Sequence, residues 1–237
     1  MAKHNFEIEK INKRKENVIN QNKPGKIDTE DLCKIQNRFN DSIKDVKGLM
    51  DICIKLEQSD KQCDIDDDTE QELLRAQIVL LDSALDFYIH EISKYGITKI
   101  FNEDSGWNET QEFLDYKLSM KICKEIYYNR TSPKKISDVI GSLNNYSSFM
   151  KFDAIVKQLI MLGIIEDKSN IPLEITKYRD SVNAICERRN LIAHSSDRDF
   201  YKGHKGEKQL LKKESVDNWI SKIKEFQSVI QNYIMQK

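Results

Sequence analysis

The chain has 237 residues, enough to bury roughly 70% or more of its unfolded surface around a sizeable core. Charged residues make up 32% and hydrophobic residues 39%, and the net charge is -1 at pH 7. That balance excludes a global electrostatic pull toward nucleic acid and leaves any RNA binding to a local patch. Only 8 Gly and 3 Pro interrupt the sequence, so long helices are expected rather than many short strands.

Residues 1–27 are polar and basic and end in Lys23-Pro24-Gly25-Lys26, which reads as a flexible basic arm closed by a breaker. A long helix is expected from Asp28, because Leu32, Ile35, Phe39, Ile43, Val46, Met50, Cys53 and Leu56 recur every three or four residues. The acidic run Asp64-Ile65-Asp66-Asp67-Asp68 lacks the Gly and Glu of a calcium loop and suits an acidic helix N-terminus instead. The helix expected from Thr69 to about Lys94 is the most apolar in the chain and should lie at the centre of a bundle. At about 100° per residue, Arg75, Asp82, Asp86 and His90 form one narrow polar stripe on it, facing either water or a polar groove.

Gly96 and residues 102–108 mark a loop, and helical patterns follow at about 110–128 and 132–143. Another helix is expected from about Phe149 to Leu162, ending at Gly163, and Pro172 opens one that runs to about His194. Residues 198–213 read as a basic loop, and a last amphipathic helix spans about 214–235. No β-alternation and no internal repeat is visible. The fold class expected is all-α: an up-and-down bundle over residues 28–237 with its core at about 69–235, preceded by an N-terminal helical extension.

The five cysteines, Cys33, Cys53, Cys63, Cys123 and Cys186, are scattered and odd in number, which fits reduced thiols in a cytoplasmic protein and no zinc site. No apolar run is long enough to span a membrane. The chain carries no phosphate-binding glycine loop, no metal-ligand cluster and no serine-nucleophile motif, so neither a cofactor nor a metal is expected.

Chemistry concentrates in Glu187-Arg188-Arg189-Asn190-Leu191-Ile192-Ala193-His194. Arg189 falls inside the apolar stripe of its helix, where an unpaired guanidinium is costly, so Asp82 or Asp86 of the central helix is expected to hold it, with Asp86 preferred. His194 lies five residues on, about 140° round the helix and about 7.5 Å along it, so the two side chains meet only at a helix end or across a two-fold interface. Asn190 is placed to hydrogen-bond the His194 imidazole, and Glu187 lies a turn earlier on the same side. One Arg and one His suffice for RNA cleavage: the 2′-hydroxyl is the nucleophile, histidine moves the proton, and arginine stabilises the charge on the phosphorus oxygens. In the following loop, Arg198, Lys202, His204, Lys205 and Lys208 with Phe200 and Tyr201 could hold an RNA backbone and stack a base, or simply be solvated.

Arg189-Asn190-Leu191-Ile192-Ala193-His194 resembles the Arg, polar residue, three residues, His signature of HEPN domains, and the fuller segment from Glu187 resembles the RiboL-PSP-HEPN type. The stretch from Leu74 to Glu91, with Asp86 at its acidic position, resembles that type's early helix. The likeness covers about residues 70–235. It implies a helical bundle, a homodimer with a composite groove, and metal-independent endoribonuclease activity leaving a 2′,3′-cyclic phosphate and a 5′-hydroxyl. Relatives serve as toxins or anti-phage effectors, which implies an antitoxin or defence protein as a further partner. The alternative is a non-catalytic module of the same fold that binds RNA or nucleotide, or dimerises within a toxin–antitoxin or defence system.

Overall fold

The computed structural model describes residues 29–59, 67–129, 139, 148–198 and 208–237. The arm at 1–27, most of the helix expected at 132–143, and the loop residues Lys202, His204 and Lys205 lie outside the described residues. Within them the elements are α1 (Thr29–Ser59), α2 (Asp67–Phe101), α3 (Gln111–Leu114), α4 (Met120–Asn129), α5 (Phe152–Met161), a 3-10 turn (Lys168–Asn170), α6 (Leu173–Thr176), α7 (Arg179–Ser195) and α8 (Lys213–Met235). Among the described residues the only β feature is one isolated bridge, between Arg198 and Lys208. The all-α reading holds.

Helix α2 is the axis, as expected of the most apolar helix: Leu74, Ile78, Leu81, Leu85, Tyr88, Ile89 and Ile92 are almost fully buried, while Leu80 and Phe87 stay exposed. α1, α5, α7 and α8 pack around it. The stripe of α1 from Leu32 to Met50 is buried against it, so the N-terminal extension is an integral layer of the bundle. Contacts fix the directions. Phe39 meets Tyr88 with ring centroids 5.4 Å apart, and Gln77 Nε2 donates to the Val46 carbonyl at 2.8 Å, so α1 and α2 run antiparallel. Leu211 lies beside Gln71, and the Tyr88 hydroxyl donates to Gln231 Oε1 at 3.0 Å, so α8 runs with α2. α7 runs against α8, since Tyr178 stacks near Phe226 while Arg188 reaches Gln209. This is the up-and-down arrangement.

The structure corrects three boundaries. Gly96 does not end the central helix, which continues to Phe101. A Cβ at Gly96 would lie 2.7 Å from the Trp107 ring and 2.8 Å from a Leu162 methyl, so this glycine is a contact point between packed elements rather than a breaker. The pattern at 110–128 is two helices, α3 and α4, separated by non-helical residues; Thr110 caps α3 by accepting from the Phe113 amide at 3.1 Å and donating to the Met161 carbonyl at 2.9 Å. Finally, the helix opened by Pro172 breaks at Lys177–Tyr178. There the Tyr178 amide bonds Ile175, three residues back, and that tighter turn lets both Ile175 and Tyr178 enter the core. By contrast, Gly163 ends α5 as expected, in the left-handed region at φ +63°.

Candidate active site

Helix α7 carries the motif. Its buried face is Val182, Ile185 and Cys186, which leaves Arg189 and Asn190 at the edge of the core and Glu187, Ala193 and His194 exposed. The helix closes one residue after His194. Ser196 (φ +50°) and Asp197 (φ +62°) adopt left-handed backbone, and the Asp197 amide donates to the Leu191 carbonyl at 3.0 Å. The end falls where the sequence places it, at about His194. His194 itself is still helical, so the offset of about 140° and about 7.5 Å from Arg189 persists within one chain.

Arg189 meets Asp82. Its Nε lies 3.6 Å from Asp82 Oδ2, with the side chains 27% and 2% exposed. Neither atom has a hydrogen-bond partner, so the attraction is Coulombic across a gap slightly too long for a hydrogen bond. Burial pushes the Asp82 carboxyl up to about 6, against the pull of the Arg189 charge, and the nearby Asp86 carboxylate pushes the same way as burial. The same pocket raises the Cys186 thiol, mainly through burial and then through the Asp82 charge.

Asp86, the preferred partner on sequence grounds, is engaged elsewhere. Its Oδ1 accepts from the Phe149 amide at 2.6 Å, and its Oδ2 lies 3.5 Å from His90 Nε2. His90 in turn stands edge-on to the Phe149 ring, 4.7 Å away. Asp86 therefore ties the start of the α5 segment to α2 and leaves Arg189 to the carboxylate one turn earlier. Asn190 also departs from expectation: its Oδ1 accepts from Arg189 Nη1 at 3.2 Å, and its Nδ2 donates to Cys186 Sγ at 3.7 Å. It braces the arginine rather than the histidine. The polar stripe of α2 thus turns inward at Arg75 and Asp82, both buried, and faces partners at Asp86 and His90.

Sequence reasoning gave Arg188 no role, yet it anchors the end of the site. Asp197 is fully buried, and its Oδ2 accepts from Arg75 Nε at 2.8 Å and from Arg188 Nη2 at 2.9 Å. Arg75 Nη2 and Arg188 Nη2 also donate to the Gln209 carbonyl, at 3.1 and 2.9 Å, and Arg188 Nη1 bonds the Gln209 side chain. Gln71 adds a reciprocal pair with Leu211, donating at 2.9 Å and accepting at 2.8 Å. The chain just past the motif and the chain entering α8 are therefore both bolted to α2 through a buried charge cluster. The sequence signals were the Arg188-Arg189 doublet, of which only one member fits the Asp82 side, and an aspartate just past the helix end.

Of the basic loop residues, Lys208 forms an ion pair with Glu72, and Arg198 is exposed beside the bridge to Lys208. Cys33, Cys123 and Cys186 are free thiols. Among the described residues no group of three His, Cys, Asp or Glu side chains is arranged to hold a metal, and no helix is long and apolar enough to cross a membrane.

No curated protein and no solved structure matches the chain. One family model does, described as RiboL-PSP-HEPN, over residues 37–236. That span begins inside α1, earlier than the resemblance at about residue 70 indicates, in keeping with the burial of α1 against α2. On this match, with the all-α bundle and the Arg189–His194 helix it encloses, the chain belongs to the RiboL-PSP-HEPN family.

Proposed function

We propose that this chain is a metal-independent endoribonuclease with Arg189 and His194 as its catalytic residues, acting as a homodimer. The observation that carries the reading is the state of Arg189. It sits at the rim of the core, opposed to a carboxylate that burial has weakened, with an Nε that no hydrogen bond occupies. An arginine held in this way is oriented through its buried Nε, while the part-exposed end of the guanidinium is left to offer donors to a phosphate.

Because helix α7 is unbroken between Arg189 and His194, one chain does not bring the two side chains to a single phosphate by itself. A two-fold pair of chains would place two of each around one groove. In the proposed reaction one His194 takes the proton of the 2′-hydroxyl as its oxygen attacks the adjacent phosphorus. The bond from phosphorus to the 5′-oxygen breaks, and the second His194 donates a proton to that oxygen. Arg189 stabilises the charge on the non-bridging oxygens. The products are a 2′,3′-cyclic phosphate and a 5′-hydroxyl. A cytoplasmic toxin or anti-phage effector role, held in check by an antitoxin or defence partner, is the cellular setting we propose.

The competing reading is a binding module without chemistry, favoured by the fact that Arg189 already has an acidic neighbour. One experiment separates the two. Wild type, Arg189→Ala and His194→Ala are incubated with total RNA in EDTA, the cut ends are mapped, and dimerisation is followed by light scattering. Cleavage by wild type alone, with cyclic-phosphate ends and dimers throughout, is expected. RNA bound but never cut, or cutting that needs an added divalent metal, would overturn the proposal.

A further inference from the structure

Helices α1 and α8 run antiparallel and leave between them a groove of about 580 Å³ that the proposed active site does not use. Asn37, Asn40, Lys44 and Lys47 line it from α1, and Lys224 lines it from α8. At about 100° and about 1.5 Å per residue, the four from α1 share an arc of about 80° and a strip about 15 Å long. The buried Ile43 adds an apolar contact to the lining. The two helices are tied together just past Asn37, where Gln36 Nε2 donates to Gln227 Oε1 at 3.2 Å. On the other flank of α8, Glu225 Oε2 accepts from the Tyr178 hydroxyl at the head of α7 at 3.3 Å, so α8 stands between the groove and the motif helix.

The polar groups of this groove are largely unspent. Asp41, the one acid in the lining, pairs with Lys44 at 2.8 Å. Lys47 and Lys224 are exposed, and among the described residues no carboxylate lies within ion-pair distance of either. The side-chain amides of Asn37 and Asn40 likewise make no hydrogen bond among the described residues. Elsewhere on the same helices Lys34 pairs with Glu30 and Asp31, and Lys222 with Glu225. Cations strung along a trough suit a ligand that is anionic along its length. Amides that both donate and accept suit a ribose hydroxyl, itself donor and acceptor, whereas the carboxylates of an acidic peptide only accept. We infer that the groove between α1 and α8 holds the sugar-phosphate backbone of RNA, with Lys47 and Lys224 meeting phosphates and Asn37 and Asn40 meeting ribose hydroxyls. This rests on RNA being the ligand of the site proposed above. Among the described residues no aromatic ring lines the groove, so it takes the backbone and tolerates any sequence. In a chain of net charge -1 such a local patch is where backbone affinity has to come from.

The test uses the full chain carrying His194→Ala, so that the strand stays whole, and a fluorescein-labelled oligouridylate of about twenty nucleotides read by anisotropy. Adding Lys47→Ala with Lys224→Ala should weaken binding and flatten the salt dependence of log affinity by about 1.4, at about 0.7 for each phosphate no longer neutralised. Adding Asn37→Ala with Asn40→Ala should weaken RNA binding at least about fivefold and leave binding of the oligodeoxyuridylate, which lacks the hydroxyl, nearly unchanged. Lys34→Ala removes a lysine outside the groove and should leave the salt dependence as it is. Neither Lys47 nor Lys224 is paired, so the melting temperature should not move in their double variant. An unchanged salt dependence in that variant would overturn the inference, as would a parent chain that binds no RNA. Polyglutamate competing as well as RNA would also overturn it and make the groove a dock for an acidic protein. Cleavage is scored separately in the chain that keeps His194. If that chain cuts no RNA while the lysine variant still loses salt dependence, the ribonuclease reading falls and the groove stands; if it cuts while the salt dependence holds, the groove alone falls.

Discussion

Replacing Asp82 by Asn should separate stability from activity. The buried carboxyl has its pKa raised from 3.8 to about 6, so between those values the folded protein keeps a proton that the unfolded chain has released. Stability from this group is therefore full below about pH 4 and is lost as pH rises through about 6. Between pH 4.5 and pH 7.5 the loss is about 2 kcal/mol, from about 1.4 kcal/mol for each pH unit of separation between 4.5 and 6. The asparagine side chain carries no charge at either pH, so Asp82→Asn should gain about 2 kcal/mol on wild type over that interval, measured by urea unfolding at the two pH values. Other carboxylates cancel in the difference. RNA cleavage should nonetheless fall, because Arg189 loses the charge that orients it across the 3.6 Å gap. Equal pH slopes for the two proteins would refute the burial argument, and full cleavage by the variant would refute the positioning of Arg189 by Asp82.

Asp86→Asn offers the matching control: since Asp86 binds the Phe149 amide and neighbours His90, its loss should cost stability while cleavage stays within a few fold of wild type, as followed by melting and an RNA assay. Asp197→Ala should destabilise by about 3–5 kcal/mol, because Arg75 and Arg188 would lose their shared buried carboxylate; a double-mutant cycle with Arg75→Ala should show strong coupling. Gly96→Ala should cost about 1–3 kcal/mol by forcing a methyl into Trp107 and Leu162, read as a lower melting temperature with cleavage retained once the protein is folded.

The bundle was legible because its signal is local. The apolar stripes of α1, α2 and α8 are written in each helix's own residues, and from Leu32 to Met50, Leu74 to Ile92 and Val216 to Ile234 those stripes line the core, although Leu80 and Phe87 of α2 stay exposed. Breaks were harder. Ile175, Tyr178 and Val182 keep helical spacing straight through the interruption at Lys177–Tyr178, so periodicity alone runs α6 and α7 together. Gly96 shows the converse: a glycine chosen for close packing against Trp107 looks the same in sequence as one that ends a helix. At the site, Arg189 announced itself as a cation on an apolar face, and the stripe on α2 named its two candidate partners. Choosing between Asp82 and Asp86, one turn apart, required knowing where α7 crosses α2. Arg188 stayed hidden because its role depends on Asp197, Arg75 and Gln209 converging from three separate stretches of chain.

That convergence also has a corollary for the chain that follows the helix. Gln209 donates its amide to the Asp197 carbonyl at 3.1 Å, and both residues are fastened to Arg75. The chain between them begins and ends at one clamp, so its length is uncoupled from the seating of His194. Closing a longer excursion adds only about 0.6 kcal/mol for each doubling of loop length. A peptide tag inserted between Asp197 and Gln209 is therefore expected to leave the helix end that bears the histidine seated as it is.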